Sequence, residues 1–132
     1  MKPLVTLGDA ERETIDVLKA GGMTASNTFP SSTLTGTTVV AQVELEALNT
    51  DDYPVVGRAQ VRVAIHAAPG KRNEVKAAAD KAMRLLYSSP GNAAVAAYFP
   101  RGGGDISTDP DTRNLMCWFL MRADLKAHLT TP

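Results

Sequence analysis

Arg58 to Leu86 reads RAQVRVAIHAAPGKRNEVKAAADKAMRLL, and its two halves follow different periods. Ala59, Val61, Val63 and Ile65 alternate with Gln60, Arg62, Ala64 and His66, the two-residue period of a half-buried strand. Ala67 to Lys71 breaks the alternation with a Pro-Gly turn. From Asn73 the period becomes helical. Val75, Ala78, Ala79, Ala82, Met83 and Leu86 fall at i, i+3, i+4, i+7, i+8 and i+11. One segment therefore predicts a sheet with a helix laid across one face. It carries no nucleophile–base pair and no metal-ligand cluster, which points toward a protein that works by contact.

Working outward, Thr37 to Leu48 is a second alternating strand. Val39, Ala41, Val43 and Leu45 form one face; Val40, Gln42, Glu44 and Glu46 form the other. The turn cluster Asn49-Thr50-Asp51-Asp52 joins it to the Arg58 strand, which predicts an antiparallel hairpin. Its polar face brings Glu44 and Glu46 opposite Arg62, a modestly favourable cross-strand arrangement. Upstream, Asp9 is a good N-cap, and Glu11 and Glu13 suit the helix dipole. A helix is expected from Ala10 to Ala20, stopped by Gly21-Gly22. Met23 to Phe29 reads as a short strand or extended segment, and Pro30 to Gly36 as a loop.

Downstream, Val95 to Phe99 is a short strand closed by Pro100, and Arg101 to Arg113 (RGGGDISTDPDTR) is the most loop-like segment. Asn114 to Lys126 is the final strand. Its first half is apolar at every position, as expected when both faces are covered. Residues 127–132 are expected to fray. The order α-β-β-α-β, with short extra strands, predicts an α+β two-layer sandwich: one domain over 1–132, two helices packed on one face of a mainly antiparallel sheet. The second helix is expected to be the crossover to the final strand.

Composition narrows the function. The 132 residues suit one domain with a sizeable core. Fourteen basic and fourteen acidic side chains cancel, which argues against a binder that depends on phosphate neutralisation. The one cysteine, Cys117, lies within LMCWFLM and reads as a buried thiol. That run is too short to span a bilayer, and the N-terminus lacks the apolar core of a signal peptide, so a reducing cytoplasm is expected. His66 and His128 read as surface histidines. Gly102-Gly103-Gly104 lacks the lysine and following helix of a phosphate loop and reads as a flexible hairpin loop. Asp105, Ser107, Asp109 and Asp111 alternate like calcium ligands. Pro110 stands where the bend glycine belongs, however, and no twelfth-position glutamate follows. No catalytic residue, cofactor or metal is expected.

The layout DAERETIDVLKAGG, then TTVVAQVEL with VVGRAQVRVAIHA, then RNEVKAAADKAMRLLYSS, then RNLMCWFLMRADLKAH resembles the tail terminator family of long-tailed bacteriophages, also called tail completion or minor tail proteins. The likeness spans residues 4 to 128 and is one of element order. One departure is the glycine run, which sits at 102 to 104 where related chains often place glycines after the second strand. The resemblance implies a virion protein at the head-proximal end of the tail, assembled in the host cytoplasm. It implies a homo-hexameric ring that caps the tail tube, stops its polymerisation and offers a head-attachment surface. The implied partners are other copies of the chain, the tail tube protein and head–tail connector proteins. DNA would pass through the channel without specific binding, and no membrane is involved. A head–tail connector or neck protein is the alternative. A ligand-binding or enzymatic α+β domain is the more distant one, with His66, Arg62 and Glu44 the first residues to test.

On this reading the contact residues are Glu44, Glu46, Gln60, Arg62 and His66 on the polar sheet face. Arg101, Gly102, Gly103, Gly104, Asp105 and Arg113 belong to a segment that orders on a partner.

Overall fold

A computed structural model describes residues 4–7, 9–49, 57–92 and 94–130. Helix α1 (Ala10–Ala20) has the predicted bounds: Asp9 accepts from the Arg12 backbone N–H, and the helix ends at Gly21. Two strands open the sheet. β2 (Thr24–Ser26) pairs parallel to β3 (Val39–Asn49), and β3 pairs antiparallel to β4 (Gly57–Ala67). The predicted hairpin register is present, with Val43 opposite Val63 and Glu44 opposite Arg62. The turn itself, residues 50–56, lies outside the described residues.

Helix α2 (Arg72–Tyr87) follows, then β5 (Val95–Thr108) and β6 (Leu115–Leu125). The five-stranded sheet has the order β2-β3-β4-β6-β5. The fold is α+β, with two helices and a mostly antiparallel sheet. β4 and β5 both run antiparallel to β6, so they point the same way with β6 between them. Thus α2 leads to the edge strand β5, and the final long strand turns back into the gap. The expected crossover from β4 directly to that last strand is corrected accordingly.

One core lies between the helices and the sheet. Val75, Ala79, Ala82 and Leu86 of α2, with Leu18 of α1, cover Val61, Val63, Ile65, Phe119 and Met121. Burying each of the larger of these side chains contributes about 1.5–3 kcal/mol. Cys117 is in this core as read, and burial pushes its thiol pKa up. Thr14 and Tyr98 close it: their hydroxyls lie 3.1 Å apart, both buried.

Three expectations are overturned. Arg101 to Arg113 is not a loop. β5 runs through the glycines to Thr108, and only residues 109–114 turn. The strand absorbs the glycines through register shifts at Val95/Ala97, Pro100/Gly102 and Gly103/Ile106. The tail does not fray from Ala127 either. β7 (Ala127–Thr130) pairs antiparallel with β1 (Leu4–Leu7) as a separate two-stranded sheet. Thirdly, Leu45, on the apolar face of β3, is not covered: it is 44% exposed.

Candidate functional site

The sheet face away from the helices collects the charged positions of β3, β4 and β6. The pleat places Gln42, Glu44 and Glu46 beside Arg58, Gln60, Arg62, Ala64 and His66, and these beside Met116, Trp118, Leu120, Arg122 and Asp124. The five predicted contact residues Glu44, Glu46, Gln60, Arg62 and His66 therefore do share one sheet face, although His66 is buried and offers no contact surface. Arg101, Gly102, Gly103, Gly104 and Asp105 lie apart from them on the exposed edge strand β5. Arg113 is in the 109–114 turn with φ of 65°, its backbone N–H donating to Asp109 O at 2.8 Å.

His66 is not the surface histidine that alternation predicts. It is 1% exposed. The segment between β2 and β3 crosses the sheet as a strap, and Phe29 stands edge-on to the imidazole, with ring centroids 5.0 Å apart. Asn114, itself buried, pins that strap. Its Oδ1 accepts the Leu34 N–H at 2.8 Å, and its Nδ2 donates to Ser32 O at 3.0 Å. Thr33 Oγ1 donates to Thr112 O at 2.7 Å beside it. His128 carries no described side chain.

A short polar chain leads away from His66. Gln42 Nε2 donates to Glu44 Oε1 at 2.8 Å, which leaves Gln42 Oε1 as acceptor 3.0 Å from His66 Nε2. The imidazole therefore donates through Nε2–H. An amide does not pass on a proton, so Glu44 does not poise His66 as a general base. Burial holds the His66 pKa below its ordinary value; nearby Asp109 raises it and Arg62 lowers it.

Two arginines of this face, Arg62 and Arg122, stand over aromatic rings. The Arg62 guanidinium carbon is 5.2 Å from the Trp118 ring centre, and that of Arg122 is 4.4 Å from the Phe99 ring centre. Arg62 Nε is buried with no hydrogen-bond partner. Arg122 Nε approaches Asp124 Oδ1 to 3.1 Å, close enough for charge attraction but at an angle that makes no hydrogen bond. The acids meanwhile are held by amides: Glu44 by Gln42, and Glu46 by Gln60 at 3.2 Å. Among the described residues no ion pair joins Glu44 to Arg62, although they are in register. A shallow hollow of about 110 Å³ lies among Phe29, Gln42, Glu44, Arg62, Ala64 and Met116.

Sequence reasoning missed Phe29, Trp118 and Phe99 as partners of this face. Periodicity assigns faces, but it does not report what crosses them. The four alternating polar residues of the calcium-like pattern do not converge. Asp109 instead accepts from Thr112 Oγ1 at 2.6 Å and from the Asp111 N–H at 3.2 Å, bonds that cap the turn and lower its pKa. Among the described residues no group of three or more His, Cys, Asp or Glu is placed to hold a metal ion.

No protein-family model matches this chain, and no curated protein is significantly similar to it in sequence.

Proposed function

We propose that this chain is a structural ring protein of the tail-terminator type, which caps a phage tail tube, stops its growth and presents a surface to the head. The element order of that family is one support. The carrying observation is the character of the sheet face opposite the helices. It carries a hollow of about 110 Å³ and mixes half-buried Met116, Trp118 and Leu120 with Arg62 and Arg122 set over aromatic rings. Aromatic and arginine side chains around so small a hollow suit contact with another protein better than capture of a small molecule.

The test is tube length. Tail tube protein polymerised with this chain present should give tubes of limited length, bearing density at one end in electron micrographs. Tubes that grow without limit and carry none of the protein contradict the reading. Protein found on isolated heads and absent from tubes assigns it to the neck instead.

A further inference from the structure

Charge is divided along the chain in a way that the topology turns into a spatial polarity. Residues 9–49 hold six acids against two bases, and residues 57–130 hold eleven bases against six acids. The first stretch builds α1, β2 and β3, at one side of the sheet; the second builds β4, β6, β5 and α2, at the other. The net neutrality of the chain hides two opposed halves.

The acidic side also has an unfinished edge. β2 pairs only with Val40 to Gln42, so among the described residues β3 from Val43 onward has a strand on its β4 side alone. Glu11 reaches across from α1, and its carboxylate accepts the Leu45 backbone N–H at 3.1 Å. Glu44, Leu45 and Glu46 are all exposed there. An open strand edge with an exposed leucine is a surface that folds normally cover. On the other side, α2 exposes Arg72, Lys76 and Lys81, while Arg84 is paired with Asp80 at 3.1 Å. On the β5 edge Arg101 and Asp105 are both exposed, so the excess of positive charge lies on α2.

We infer that the acidic open edge of β3 is covered by the basic face of α2 on a second copy of this chain, in a head-to-tail contact. Charge complementarity selects this occupant: the chain carries both partners of the contact on opposite sides of its own sheet, and like edges repel. A contact between two different surfaces propagates from copy to copy and closes into a ring when the rotation permits. The inference rests on the self-association in the proposed function and adds which surfaces meet.

Two charge-reversed proteins test it by sedimentation velocity at low salt. One carries Glu44→Lys and Glu46→Lys; the other carries Lys76→Glu and Lys81→Glu. All four positions are exposed, and a wild-type melting transition checks that each protein is folded. Each alone should associate roughly 100-fold more weakly than wild type, because like charges now face each other. Mixed in equal amounts they should assemble again, since each supplies the surface that the other needs. If the Lys76/Lys81 protein assembles as well as wild type, the surface assignment is overturned and self-association stands. If wild type itself is monomeric at every concentration, the self-association on which both readings depend is overturned.

Discussion

The neutral form of His66 is the one this fold accommodates. The ring donates through Nε2 to Gln42 and is shielded by Phe29, so adding a proton places a charge where water does not reach. An unfolded imidazole titrates at about 6.5, and the folded one lies lower. The folded state then binds fewer protons than the unfolded state between those two values. Stability is therefore full above the ordinary imidazole range and falls as pH drops from there toward the folded pKa. Replacing His66 by Gln keeps a donor for Gln42 and removes this titration. Melting temperatures at pH 7 and pH 5 should fall less for the variant than for wild type. An equal fall would show that His66 is not held neutral. Alternation had placed this residue on the solvent side, correctly as to face. Its burial depends on a strap anchored by Asn114, 48 residues downstream of it, and no local pattern reports such a cover.

Strand β5 shows why one element was illegible. Pro100, three glycines and Asp105 are the residues that mark loops, and β-propensity is low from Pro100 to Asp105. The strand forms because β6, apolar along its first half, offers a continuous partner, and because an edge strand tolerates bulges. By contrast β3, β4 and α2 are legible because period and turn signals agree, and α1 because its Asp9 cap and Gly21 stop agree as well. The glycines of β5 are not equivalent. A Cβ on Gly103, at φ of 119°, would meet Phe119 Cα at 2.4 Å and Trp118 O at 2.5 Å, so two backbones pass closely there. Gly104, at φ of 104°, faces open space. Gly103→Ala should destabilise by about 3 kcal/mol or more, and Gly104→Ala by about 1 kcal/mol from backbone strain alone. Denaturant midpoints read the difference. Equal losses would mean that the close approach of β5 to β6 is wrong.

At the scale of the whole molecule, the sheet order converts a sequence asymmetry into a physical one. The acidic α1–β3 stretch and the basic remainder occupy opposite sides of the sheet, a polarity that total composition conceals. The arginine-on-ring face adds a second surface suited to protein contact. Self-association was expected from the sequence through its resemblance to tail terminators, with Glu44, Glu46 and Arg101 among the expected contact residues, whereas their placement on opposite sides of the sheet became visible only with the topology. Attraction between such exposed edges weakens as salt shortens the screening length to about 3 Å at 1 M. Negative-stain electron microscopy of the purified protein at low salt reads ring formation directly. Closed rings of about six copies around a central hole are expected, dispersing as salt is raised. Single particles of one chain at every concentration and ionic strength would contradict ring formation.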